Sequence, residues 1–134
     1  FGGTTLGAEL LTPTRLYVRP ALAAIAERGV RGMAHITGGG LTENLPRVLP
    51  EGLGAAVDLG AWTLLPVFEW LAKTGGITGD EMLKTFNCGI GMVLVVDPDG
   101  VDPVSKALSA AGETVTPIGT VTEGQGVDYA GTLW

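Results

Sequence analysis

Clusters of glycine divide this sequence into short segments, and the spacing of these clusters limits the possible folds more than any other feature. Glycine supplies 22 of the 134 residues, more than twice its usual share of about 7%. The clusters stand between segments of helical or strand periodicity and form no repeat, so they indicate turns and points of close backbone approach. We therefore expect one domain built from many short elements joined by tight turns.

Helices are predicted where apolar spacing coincides with end signals. Val18, Leu22 and Ile25 recur at helical spacing, which predicts an amphipathic helix before Gly29. Thr78 and Glu81 have the spacing of a capping box, in which each side chain bonds the backbone of the other residue, so a helix should begin near residue 79. The predicted helical segments are 14–28, a short helix in 41–49 broken around Pro46, 66–73 ending at Gly75 and Gly76, 79–86, and 102–111 with Asp102 as its N-cap and Gly112 as its end.

Strands are predicted at 30–36, 54–59, 90–96, 114–122 and 127–129. Segment 90–96 is apolar on both faces, which favours a central strand covered on both sides. The last two strands flank a turn-prone stretch, 123–126, and could pair as a hairpin. The element order predicts an α/β or α+β fold with helices packed on at least one face of a sheet.

Charge and composition exclude several functional classes. The formal net charge is −6 and the Lys and Arg residues are scattered, which argues against a nucleic-acid partner. No segment approaches the roughly 20 apolar residues that a membrane span needs, so no membrane partner is expected. The single cysteine, Cys88, cannot form an internal disulfide, and no metal-ligand spacing is present; a cytoplasmic location is expected.

Residues 37–40, here called the glycine loop, are the strongest candidate for chemistry. Thr37, Gly38, Gly39 and Gly40 follow a predicted strand and precede a predicted helix start. Three glycines let the backbone approach a ligand, and a helix start directs N–H groups toward an anion such as phosphate. The alternative is a tight strand-to-helix turn that binds nothing.

Other polar residues near the glycine loop are candidates with open alternatives. His35 is the only histidine and is a candidate catalytic residue, or a hydrogen-bonded structural histidine. Arg47 could bind phosphate or form a surface ion pair. Residues 87–89, the asparagine turn, could present an amide side chain at the same sheet edge, or simply link a helix to a strand. Cys88 is interpreted as a small buried residue, and the acidic stretch 97–102 as a solvated turn.

Four segments together resemble the phosphoribosylformylglycinamidine cyclo-ligase (AIR synthetase) family. They are LTPTRLYV at 11–18, AHITGGG at 34–40, ENLPRVLP at 43–50 and TFNCGIGM at 85–92. The resemblance extends over about 6–112 and concerns the C-terminal domain of that family. It implies an α/β sandwich with a mixed sheet, with residues 1–13 as a lead-in between domains.

The resemblance implies an activity for the complete protein. The formyl oxygen of formylglycinamidine ribonucleotide would be activated by phosphoryl transfer from ATP, and an amidine nitrogen would then attack to close the imidazole ring. ATP and Mg²⁺ would be held mainly by an N-terminal domain that is absent from these residues, so the fragment alone is expected to be inactive and to bind no cofactor. The complete protein would form a homodimer.

The resemblance also implies a set of site residues, which would line one wall of the active-site cleft and face the ribonucleotide substrate or phosphate. Two other functions remain open, a phosphate- or nucleotide-binding module without catalysis and a related family member of the formylglycinamidine ribonucleotide amidotransferase type. A third alternative takes the glycine loop as a mere turn and the face toward the missing domain as a protein-interaction surface. The implied binding residues are Thr37, Gly38, Gly39, Gly40, Glu43, Asn44, Arg47, Asn87 and Gly89.

Overall fold

The computed structural model describes residues 3–134, and Phe1 and Gly2 of the predicted lead-in lie outside the described residues. The chain consists of many short helices and strands, as the glycine-rich turns predict. The helices and strands are α1 (Leu6–Leu10), α2 (Val18–Ala26), β1 (Val30–His35), α3 (Gly40–Asn44), β2 (Leu53–Asp58), α4 (Pro66–Gly75), α5 (Gly79–Thr85), β3 (Met92–Val96), α6 (Val101–Ala110), β4 (Gly119–Glu123) and β5 (Val127–Ala130), with 3₁₀ turns at Pro46–Val48 and Pro98–Gly100.

The described strands form two sheets. β1 and β3 pair antiparallel, while the second sheet has the order β4-β2-β5, antiparallel on one side of β2 and parallel on the other. A mixed α/β architecture with packed helices is therefore confirmed. The hairpin suggested for the last two strands is wrong, because β2 lies between them. Their connection passes around the start of β2, where Gly124 N–H donates to Gly52 O at 2.9 Å.

β3 is an edge strand and not the central, doubly covered strand that its apolar sequence predicts. All five of its residues are only partly buried, and its one described partner is β1. An interior-type, valine-rich sequence therefore occupies a position with a free edge.

Helix α2 is amphipathic, but its large apolar stripe faces outward. Val18, Leu22 and Ile25 are 68%, 62% and 51% exposed, whereas Pro20 and Ala24 are buried. The predicted amphipathic helix is present, but its small residues pack against α6, and small side chains let two helices approach closely. The helix also begins at Val18 and not near residue 14.

Local end signals account for most of the other helix boundaries. Thr78 Oγ1 accepts a hydrogen bond from Glu81 N–H at 3.4 Å, which confirms the predicted start of α5. Asp102 is not an N-cap, since α6 begins one residue earlier, directly after a 3₁₀ turn. The lead-in contains the short helix α1, capped by Thr5, whose Oγ1 accepts from Ala8 N–H at 3.2 Å.

The buried side chains form two separate groups. The larger one joins α3, α5, β1 and β2 around Ile36, Leu41 and Met82. The smaller one, between α2 and α6 on the β1-β3 sheet, contains Ala24 and Val104. Among the described residues, no helix is long and apolar enough to cross a membrane.

Candidate functional site

The glycine loop leaves β1 and enters α3 through backbone conformations that favour glycine. Gly39 and Gly40 have φ of 96° and 56°, in the region that L side chains rarely adopt. A Cβ on Gly40 would overlap the Leu83 carbonyl oxygen, whereas a Cβ on Gly38 would meet no atom within 4 Å. Gly40 is therefore required for packing, and Gly38 faces open space that a ligand can enter.

Asn44 holds the glycine loop from beneath. Its side chain is 8% exposed, and its Nδ2 donates to Gly38 O at 3.1 Å and to Gly40 O at 2.9 Å. These bonds direct the loop carbonyls inward. Among the described residues, the N–H groups of Gly38 and Gly39 donate to no protein acceptor, so two donors stay available to a ligand at the loop.

Arg47 braces the same arrangement, and Glu43 lies beside it. Arg47 Nη1 donates to Asn44 Oδ1 at 3.0 Å, which fixes the direction of the Asn44 amide. Glu43 lies 3.5 Å from Arg47 Nη2 in an exposed pair, and a Cβ on Gly39 would fall 2.8 Å from Glu43 Oε2. The three polar residues predicted to face a ligand thus lie together, but Asn44 and Arg47 use their side chains to hold the loop.

The end of α5, which leads into the asparagine turn, packs against the glycine loop. Gly40 lies against the backbone oxygens of Leu83 and Phe86, and Thr42 Oγ1 donates to Leu83 O at 3.2 Å. Asn87 follows directly, and its Oδ1 accepts from Gly89 N–H at 3.0 Å. The glycine loop therefore contacts the end of α5, directly before the asparagine turn, and the Asn87 carboxamide oxygen is used within that turn.

Cys88 sits at the centre of the asparagine turn with φ of 50°, the one positive value among the described non-glycine residues. Its side chain is fully buried, its thiol donates toward Met82 O at 3.5 Å, and Trp62 Nε1 donates to its carbonyl oxygen at 2.9 Å. Burial raises the pKa of the thiol to about 11. A protonated, enclosed thiol is a poor nucleophile, so Cys88 is structural, as predicted.

His35 lies exposed at the end of β1, beside Tyr17. The two rings meet edge to face with centroids 5.7 Å apart, and the Tyr17 hydroxyl lies where a Cβ of Gly91 would fall. Burial, together with the charge of Glu113, raises the pKa of Tyr17. Tyr17 thus connects the LTPTRLYV segment to His35, a site neighbour that the spacing of residues along the chain did not predict.

Two further charged features lie outside the loop region. Arg15 pairs with Glu113 at 2.8 Å and donates to Gly112 O at 2.9 Å. In the acidic stretch 97–102, Asp97 pairs with Arg31 at 2.7 Å, and this hydrogen-bonded partner lowers the pKa of Asp97. Within residues 3–134, no three His, Cys, Asp or Glu side chains gather in a way that could hold a metal ion.

Comparison with known proteins gives a family and a fold. Residues 1–130 match the family model described as AIR synthase related protein, C-terminal domain. HypE from E. coli, a hydrogenase maturation protein, is 21% identical over 94% of this chain with a TM-score of 0.69. Thiamine-monophosphate kinase from Stenotrophomonas maltophilia K279a is 16% identical over 75% of this chain with a TM-score of 0.56.

A third solved structure, from Thermus thermophilus, is 26% identical over 82% of this chain with a TM-score of 0.60. The first two likenesses, at their low identities, establish the shared fold alone. This chain spans only 41% of the HypE chain, 31% of the kinase and 34% of the Thermus protein. The 134 residues therefore correspond to a part of those longer proteins.

Proposed function

The chain belongs to the AIR synthase related protein C-terminal domain family, and from that premise we propose that it is the C-terminal domain of an ATP-dependent cyclo-ligase. The complete protein would close the imidazole ring of formylglycinamidine ribonucleotide and release aminoimidazole ribonucleotide, ADP and phosphate. One observation carries the proposal: two of the segments that resemble AIR synthetases, AHITGGG and TFNCGIGM, meet in the fold, because Gly40 lies against Phe86 O and Ile36 N–H donates to Gly91 O.

In this proposal the glycine loop binds a phosphate or another anionic oxygen. Gly38 and Gly39 N–H groups would donate to it, and Asn44 would keep the loop carbonyls turned away by bonding Gly38 O and Gly40 O. Backbone donors that are fixed in advance stabilise charge without the cost of reorganisation. His35, exposed beside the loop, is the candidate for contact with a polar atom of the substrate.

In this proposal ATP and Mg²⁺ are held mainly outside these residues. The described part of the chain lacks a carboxylate cluster suited to Mg²⁺, a cation that takes oxygen ligands. In this proposal the metal–nucleotide site is therefore formed by other residues. We propose that another domain of a longer, homodimeric protein supplies it and that the protein acts in the cytoplasm, with neither nucleic acid nor membrane as partner.

Two alternatives predict different ligands. A family member of the formylglycinamidine ribonucleotide amidotransferase type would act on the amide precursor of the same ribonucleotide and need a nitrogen donor. A phosphate- or nucleotide-binding module would bind without turnover. Both alternatives would use the glycine loop, so binding at the loop tests the site, and turnover tests the reaction.

The site is tested by following backbone amide shifts while the longer protein is titrated with formylglycinamidine ribonucleotide, inorganic phosphate and ATP. We expect the largest shifts at Gly38 and Gly39 with the ribonucleotide and with phosphate. Gly38→Ala is the matched variant, because its Cβ meets no protein atom but would occupy the approach to the loop. Two results would overturn the proposed anion site at the glycine loop. Gly38→Ala could bind these ligands as tightly as the unaltered protein, or the amide shifts could occur only outside the loop.

A further inference from the structure

A large cleft separates the two sheets of the domain. Its volume is about 1150 Å³, and it is lined along its length by β3 on one side and by residues 119–121 of β4 on the other. β3 pairs only with β1, and β4 pairs only with β2, among the described strands. The cleft is therefore bordered by two unpaired strand edges.

The pairing registers identify which amides face the cleft. Ile36 N–H donates to Gly91 O, so residue 91 is a hydrogen-bonded position. Bonded and non-bonded positions alternate in an antiparallel pair. The backbone groups of Val93 and Val95 therefore form hydrogen bonds with β1. By the same alternation Met92 and Leu94 direct their N–H and C=O groups away from β1.

The same reasoning applies to β4. Asp58 N–H donates to Ile118 O, so Thr120 bonds β2 while Gly119 and Val121 present their backbone groups on the other side. Four amides of the two strands, at Met92, Leu94, Gly119 and Val121, therefore point toward the cleft without a described strand partner.

The dimensions of the cleft match one extended strand. A strand within a covered sheet occupies roughly 4.8 Å by 10 Å by 3.3 Å, or about 160 Å³, per residue. The cleft volume of about 1150 Å³ then holds about seven residues. A helix, with a diameter of about 10–12 Å, would not complete either hydrogen-bonding edge.

Most of the side chains that line the cleft are apolar, although the paired side chains of Arg15 and Glu113 line it too. Pro20 and Val104 belong to α2 and α6, whereas Leu45 and Leu49 belong to the larger group of buried side chains or pack against it. The cleft therefore runs between the two separate groups of buried side chains, whereas a domain usually has one contiguous core. A strand placed there would be covered on both faces, so its sequence should be a nearly continuous apolar run.

We propose that this cleft receives one β-strand from the part of the longer polypeptide that lies outside these 134 residues. The strand would have five to seven mainly apolar residues, pair with β3 and β4, and join the two sheets into one. The relatives support this occupant, since the chain spans only 31% to 41% of their length. It also explains why β3 has the sequence of an interior strand at a free edge.

Hydrogen exchange in the longer protein, read residue by residue, tests the proposal. We expect the amides of Met92, Leu94, Gly119 and Val121 to exchange within about tenfold of the rates of Val93, Val95 and Thr120, which are already bonded to described strands. We further expect nuclear Overhauser contacts between the four amides that face the cleft and one apolar segment outside the 134 residues.

Three outcomes would overturn the proposal. The four outward amides could exchange at least about a hundredfold faster than the three inward ones in the longer protein. Their contacts could come from a second copy of the chain, which sedimentation of the longer protein and mixed isotope labelling would reveal. The gene could also encode no residues beyond these 134, which leaves no segment to fill the cleft.

Discussion

Replacement of Asn44 by alanine should destabilise the domain far more than its small polar side chain suggests. The side chain is 8% exposed, and its Nδ2 makes two short hydrogen bonds to the glycine loop, at 3.1 Å and 2.9 Å, and a longer one to Thr37 O at 3.5 Å. At about 1 kcal/mol net for each bond, and with one loop carbonyl left buried, the loss is about 2–3 kcal/mol. For a domain of this size that corresponds to a fall of about 6–15 °C in Tm.

Urea denaturation of the variant and of the unaltered chain measures this loss. Glu43→Ala is the matched control, because Glu43 is adjacent, makes only an exposed 3.5 Å pair and should cost less than about 1 kcal/mol. Asn44→Asp separates hydrogen bonding from packing, since it keeps the shape but places an oxygen against the loop carbonyls. A loss below about 0.5 kcal/mol for Asn44→Ala, or an Asn44→Asp variant as stable as the unaltered chain, would refute the bracing role.

Three further expectations concern stability and reactivity. Gly40→Ala should cost about 3–5 kcal/mol or prevent folding, because its Cβ overlaps a backbone oxygen at positive φ, whereas Gly38→Ala should cost less than about 1 kcal/mol; thermal melts compare the two. Leu41→Ala, at a fully buried site, should cost about 2–5 kcal/mol, and Leu22→Ala, 62% exposed, less than about 0.5 kcal/mol; similar losses in a urea titration would contradict the orientation of α2. Burial raises the pKa of Cys88 from 9.0 to about 11, so between pH 9 and pH 11 the thiol loses its proton more readily in the unfolded chain. The free energy of unfolding of the unaltered chain should therefore fall by about 2–3 kcal/mol relative to Cys88→Ala over that range. Equal pH dependence of the two proteins would contradict the burial of the thiol.

Signals that act within a few residues predicted the elements well. The Thr78–Glu81 pattern located the start of α5 because the cap is made by residues three apart. Pro66 likewise begins α4, and left-handed Gly76 ends it. The glycine loop was found for the same reason, since its three glycines meet a conformational demand that is local to the turn.

Signals that depend on distant partners failed. An apolar stripe on α2 indicates that a surface will be covered, but Val18, Leu22 and Ile25 could not show that α6 packs on the opposite, small-residue face. In the order β4-β2-β5, the connection from β4 to β5 passes the start of β2, where Gly124 bonds Gly52. The spacing of apolar residues along the sequence does not reveal this connection.

The role of Asn44 also escaped prediction from the sequence. An asparagine next to a glycine loop looks the same whether its amide faces a ligand or the loop carbonyls. Only the positions of Gly38 O, Gly40 O and the Arg47 guanidinium decide between these roles.

Turnover by the longer protein tests the proposed reaction most directly. The protein would be incubated with ATP, Mg²⁺ and formylglycinamidine ribonucleotide, without a nitrogen donor, while mass spectrometry follows the ribonucleotide and a phosphate assay runs in parallel. We predict a product that has lost the elements of one water molecule, formed in equal amount with phosphate and ADP, and no product from the 134-residue chain alone. Failure of the longer protein to convert this ribonucleotide, or conversion by the 134 residues alone, would contradict the proposed function.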